Sequence, residues 1–110
     1  NANLMVQKKL SLAKSHLEKQ DSRAFHQEIV QAIWGYLGDK LGMKTSEFSQ
    51  ENIQNVLQNE QVSDDTITSL LQLINRCEMA IFAPAAQSNQ MQNIYEQAAK
   101  VMGELEQRLG

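Results

Sequence analysis

With 110 residues, the chain has room for one hydrophobic core and too few for two. Its net charge of -3 argues against nucleic acid as a partner, because phosphate binding needs clustered Lys and Arg and no basic stripe with interleaved aromatics is present. A single cysteine excludes an intrachain disulfide, one proline and few aromatics favour helices over strands, and no apolar run is long enough to cross a bilayer or form a signal peptide.

Asn1-Ala2 reads as the remnant of a cleaved tag, which leaves residues 3–110 as a single helical domain cut from a larger protein. Five helical segments follow. Val6, Leu10, Ala13 and Leu17 share one face of a first helix ending near Gln20. Residues 1–23 hold five basic residues (Lys8, Lys9, Lys14, Lys19, Arg23) against Glu18 and Asp21, a net +3, so residues 24–110 carry -6. Such a start suits a solvated helix face, an anionic lipid surface, or the cytoplasmic side of a membrane helix.

Asp21 or Ser22 caps the second helix, whose stripe of Phe25, Ile29, Ala32, Ile33, Tyr36, Leu37 and Leu41 is too wide for a coiled-coil seam and suits a globular core. Gly42 is its expected C-terminal stop. Within it, Gly35 and Gly38 flank Tyr36 and follow Trp34, an arrangement that lets a neighbouring helix approach closely. Trp34 and Tyr36 are expected to fill the edge of the core; a partly exposed Trp34 would anchor a protein partner, since Trp and Tyr dominate interface hot spots.

Ser49 caps a short third helix with Ile53, Val56 and Leu57 facing inward, expected to be the least stable element. Ser63, followed by Asp64 and Asp65, caps a fourth, where the acids complement the positive end of the helix dipole. Ile67, Leu70, Leu71, Ile74, Cys77 and Ile81 share its inner face. Pro84 ends it, having no N–H and a ring that clashes with the preceding turn, and Phe82 with Pro84 should turn the chain so that the next helix runs antiparallel, with the Phe82 ring in the core. Ser88 or Asn89 caps the fifth helix, whose Met91, Ile94, Tyr95, Ala98, Val101, Met102, Leu105 and Leu109 should pack along its whole length. The resulting fold is all-α, a compact bundle of four to five helices.

Catalytic constellations fail on inspection. His16 and His26 lie on separate helices, without a Cys or carboxylate at metal-ligand spacing, and read as surface or partly packed imidazoles. Cys77 sits on an apolar stripe without a neighbouring base, where a thiol is inert. Capping explains Asp64 and Asp65, and no glycine-rich loop can cradle a phosphate. No catalytic, metal-binding or cofactor-binding residue is assigned; a thiol-dependent redox enzyme using Cys77 is the enzymatic alternative.

Leu12, Ala13, Phe25, Ile29 and Ala32 resemble a tetratricopeptide (TPR) hairpin, with small residues where paired helices touch, although the prolyl end and the large first-helix aromatic are missing and no second copy follows. A TPR-like hairpin inside a bundle is the expectation, and a TPR-like adaptor of some envelope protein is one alternative function. More of the chain resembles the C-terminal domain of the BatD family of bacterial oxygen-tolerance (aerotolerance) proteins. The residues that carry this are Ala13, Leu17, Asp21 and Phe25 of the hairpin, then Ile33-Trp34-Gly35-Tyr36-Leu37, Asp39-Lys40-Leu41-Gly42 and Ser46-Glu47. The ending adds Cys77-Glu78, Ala80 and Phe82-Ala83-Pro84. The family commonly carries a basic residue where this chain has Ile81, so an ion pair from Glu78 at i, i+3 is missing. The resemblance implies a protein with an N-terminal signal, β-rich extracytoplasmic domains, one membrane helix outside this segment and a helical tail on the cytoplasmic side of the bacterial inner membrane. It implies partners among von Willebrand factor A-type proteins, TPR proteins and a MoxR-type ATPase, and makes Trp34, Tyr36, Cys77, Glu78, Phe82 and Pro84 the residues to examine, as structural or contact residues.

Overall fold

The structure, a computed structural model, describes residues 2–83 and 90–110. It is all-helical: α1 (Ala2–Lys9), α2 (Ser11–Glu18), α3 (Ser22–Leu41), a 3-10 turn at Thr45–Glu47, α4 (Gln50–Asn59), α5 (Asp64–Phe82) and α6 (Met91–Leu109). The described residues thus form six helices where periodicity predicts five. The extra one comes from the first segment, which breaks at Leu10. There the Ser11 hydroxyl donates to the Lys8 carbonyl at 3.0 Å, while Leu10 and Lys14 keep their own i→i-4 bonds. A serine that takes a carbonyl from the ladder bends a helix without ending it. The inward face continues through the bend: Val6, Leu10 and Ala13 are buried. The bend lets α1 rest on α6 while α2 pairs with α3.

The start signals are where the sequence puts them. The Asp21 carboxylate accepts the Ala24 N–H, the Ser49 hydroxyl the Asn52 N–H and the Ser63 hydroxyl the Thr66 N–H. Gly42, at φ +66°, closes α3 in the left-handed conformation. Ser88, Asn89 and Pro84 lie outside the described residues, and α6 begins after Gln90 without a side-chain cap.

Two further stops have no glycine. Gln20 (φ 59°) and Gln61 (φ 63°) occupy the left-handed position after α2 and α4. In each case the next residue's N–H reaches back five residues, Asp21 to the His16 carbonyl and Val62 to the Leu57 carbonyl, both at 3.0 Å. The inner bonds, Gln20 to Leu17 and Gln61 to Gln58, complete two Schellman motifs. Holding a residue with a Cβ in this conformation costs about 1–2 kcal/mol, and the paired backbone bonds with the following cap offset that cost.

α3 lies at the centre, in contact with α2, α5 and α6, and buries Phe25, Ile29, Ile33, Tyr36 and Leu37. α5 and α6 run antiparallel, as three ties show. Arg76 donates to the Gln97 side-chain oxygen at 2.6 Å, the Gln97 amide donates to the Ser69 carbonyl at 3.2 Å, and the Thr66 hydroxyl donates to Glu104 at 3.1 Å. Partners rise in number along α6 as they fall along α5.

Replacing Gln20 with glycine is expected to raise stability by about 0.5–1 kcal/mol, since only the strain and one long exposed side-chain bond are lost. Urea denaturation of the Gln20→Gly variant checks this as a higher midpoint at unchanged slope.

Candidate functional site

α3 sends its two marked aromatics in different directions. Tyr36 is buried, and its hydroxyl donates to Glu106 of α6 at 2.7 Å. The same carboxylate oxygen lies 3.2 Å from the Lys40 ammonium, which also stands 5.9 Å from the Tyr36 ring centroid. Burial, reinforced by the adjacent carboxylate, raises the Tyr36 hydroxyl above its ordinary range, while donation from that hydroxyl is the main influence holding the Glu106 carboxyl low. Tyr36 therefore joins α3 to α6 and presents nothing to a partner.

Trp34 is half-buried and stacks on Phe48, with ring centroids 4.8 Å apart and planes 15° from parallel. Gly38, one turn on, permits this: a Cβ there would lie 3.3 Å from the Met43 carbonyl oxygen and 3.4 Å from the Phe48 ring. The close approach expected of these glycines is thus made by the loop after α3 rather than by a helix. Gly35 has open space around its Cα, so it serves no close approach.

The end of α5 divides the remaining residues by face. Cys77 is fully buried among core side chains, and burial pushes its thiol up to about 12. Glu78 is exposed. Phe82, expected to be a core ring, is 88% exposed, and Met79 on the same outer face is 54% exposed. The reason is angular: Ile74, Cys77 and Ala80 face the interior, whereas residues 78, 79 and 82 fall on the opposite side of a 3.6-residue turn. Asn75 extends this outer ridge, its amide 3.8 Å from the Met79 sulfur. Ile81 is half-buried and lines a surface groove with Gln27, Glu28, Val30 and Gln31 of α3.

His26, read from the sequence as a surface or partly packed group, is wholly buried, edge-on to Phe25 with ring centroids 5.0 Å apart. Its Nδ1 lies 2.7 Å from the Ser22 carbonyl, which can only accept, so Nδ1 carries the proton and Nε2 holds a lone pair. Nε2 is buried with no partner. Burial lowers the His26 pKa from 6.5 despite the Ser22 bond, and Arg76 lowers it further. The sequence signal for this burial was its position one residue from Phe25 and three from Ile29.

A groove between α1–α2 and α6 is lined by the polar Gln7, Ser11, Lys14, Glu18 and Tyr95 together with the apolar Val6 and Ala99, with no histidine or cysteine among them. Among the described residues no three His, Cys, Asp or Glu side chains converge as metal ligands, and no helix is long and apolar enough to cross a membrane. No family model, curated protein or solved structure matches the chain.

Two outcomes are expected. Cys77 should resist thiol reagents in the native protein and react at once in denaturant, because both burial and a thiolate-poor thiol suppress attack; following the chromophore released by a disulfide reagent checks this. Acidification should destabilise the fold through His26. Its native pKa is depressed, so the unfolded chain takes up the proton first, and stability present above pH 6.5 is lost as pH falls toward the native value. The slope is at most about 1.4 kcal/mol per pH unit for one group. Denaturant midpoints between neutral and mildly acidic pH should show this component in the wild type and lack it in His26→Leu.

Proposed function

We propose that this domain is a non-catalytic protein-interaction module, the helical tail of a BatD-like membrane-anchored protein acting in a membrane-associated assembly or stress-tolerance complex. The observation that carries the reading is the outer ridge of α5, where Phe82 and Met79 stand exposed beside Glu78. An aromatic ring 88% open to water, with Met79 beside it, is the kind of anchor that dominates protein interfaces once a partner covers it. The resemblance through Cys77-Glu78, Ala80 and Phe82-Ala83-Pro84 converges on the same helix end. On this reading Cys77 and Ala80 hold the helix in the core while Glu78 and Phe82 meet the partner. The partners proposed are von Willebrand factor A-type or TPR proteins and a MoxR-type ATPase, with the domain on the cytoplasmic side of the inner membrane, held there by a helix outside this segment.

The α2–α3 hairpin also supports a narrower variant, a TPR-like adaptor of another envelope protein, which would use the same ridge. The thiol-dependent alternative has less support, since a buried Cys77 raised to about 12 offers neither access nor thiolate.

Phe82→Ala separates a contact role from a structural one. Truncating a buried Phe costs about 3–5 kcal/mol, whereas this exposed ring should change stability by no more than about 0.5 kcal/mol. The expected outcome is an unchanged melting temperature together with loss of partners that the wild-type domain captures from lysate of the native organism. If the wild-type domain captures no envelope or ATPase partner at low or high salt and instead turns over a small molecule in a reaction that Cys77→Ser abolishes, the enzymatic reading replaces this one.

A further inference from the structure

The outward side of α1–α2 carries a second exposed apolar feature, of a different kind. Leu4 is 65% and Leu12 61% exposed. Counting 100° per residue across the bend, Leu4, Lys8, Leu12, Ser15 and Lys19 lie within one narrow stripe, opposite the buried Val6, Leu10 and Ala13. Lys8 and Lys19 are exposed on this stripe. Lys9, at its edge, lies 3.8 Å from Asp39 of α3, and Lys14 faces the groove toward α6 beside Glu18. The stripe belongs to the segment with net +3, whereas the remaining chain carries -6, with Glu47, Glu51, Glu60, Asp64 and Asp65 along the segment from the 3-10 turn to the first turn of α5.

We propose that this stripe seats the domain on an anionic lipid surface. Three observations select that occupant. The net positive charge is concentrated on α1–α2, so an anionic surface attracts this segment and favours orientations that turn it toward the lipid. The two leucines stand singly on a ridge, spaced by a lysine. Such a ridge suits a soft, planar headgroup layer, where leucines enter the boundary with the acyl chains while lysine stems lie along it and their ammonium groups stay among phosphates. The predominant charge of the segment also complements the surface: besides Lys8 and Lys19, Arg23 stands exposed at the first turn of α3. Two lysines and two leucines give weak, salt-sensitive attachment, which acts best on a domain already held near the membrane. The seat is on α1–α2 and the Phe82 ridge is on α5, so the two surfaces share no residue and each can be altered by substitutions that leave the other's side chains in place.

The test is co-sedimentation of the isolated 110-residue domain with vesicles of mixed phosphatidylglycerol and phosphatidylcholine, against vesicles of phosphatidylcholine alone, at low and high salt. Binding is expected only to the anionic vesicles and only at low salt. A Lys8→Glu, Lys19→Glu double variant should lose at least roughly 30-fold in partition, two lysine contributions removed. A Lys44→Glu, Lys100→Glu control, with the same net charge but altered away from the stripe, should bind at least tenfold better than that double variant. Leu12→Ser should weaken binding while preserving its salt dependence. Circular dichroism and melting temperature establish that each variant is folded. Absence of binding to anionic vesicles, equal binding to neutral ones, or equal losses in both double variants would overturn the proposal. So would failure to bind vesicles combined with stripe-dependent capture of an acidic protein, which would assign the stripe to that partner instead.

Discussion

The apolar stripe of α3 runs from Phe25 and Ile29 through Ile33 to Tyr36 and Leu37, and it is too broad for one neighbour to cover. A helix of 20 residues with such a stripe must be enclosed from several sides, and α2, α5 and α6 supply them. The remaining placements follow from this enclosure. α2 can cover only the early part of the stripe because it is 8 residues long, so the bend at Leu10 sends α1 across to α6 instead of extending the hairpin. α4 stays outside, packed on α5, with Ile53 and Leu57 as its inward anchors.

Polar contacts at the rim of this core set the alignment that apolar packing alone leaves loose. Tyr36 and Lys40 meet on Glu106, Thr66 meets Glu104, and Arg76 is held by the side chains of Gln97 and Gln90. Each contributes only about 1 kcal/mol of net stability. Sliding α6 by one turn would separate all of these pairs at once, and the partly buried groups among them would lose their partners without regaining full hydration. The effect on register therefore exceeds the effect on stability.

Much of this was legible in the sequence, for reasons that differ by residue. Asp21, Ser49 and Ser63 announce helix starts because a short side-chain oxygen has few better uses than an orphan N–H, and Gly42 announces a stop because it takes the left-handed conformation without strain. Gln20 and Gln61 were illegible for the complementary reason: nothing in a glutamine favours that conformation, and only the tertiary positions of α2–α3 and α4–α5 require it. Leu10 was hidden because the inward face is continuous across the bend, so periodicity could not report it. Phe82 was misplaced by its size. A large aromatic next to a proline reads as core, but its angle on the helix, set by Cys77 and Ala80, decides the outcome. The candidate contact residues were correspondingly mixed, since Tyr36 and Cys77 went inside while Glu78 and Phe82 stayed out.

His26 shows what the core tolerates. Burying an imidazole with one nitrogen unpartnered costs of the order of 1–3 kcal/mol, and the residue sits on α3 edge-on to the buried ring of Phe25. Val6, Ala13, Phe25, Ile53, Ile67 and Ile94 bring every described helix into one core, and Phe82, Met79, Leu4 and Leu12 stay outside it. Their exposure follows from helix faces that the bundle geometry turns outward. One face, at the end of α5, sets an aromatic ring beside the single carboxylate of Glu78, and the other, along α1–α2, pairs leucines with lysines. Faces that differ in charge and in apolar chemistry favour different partners.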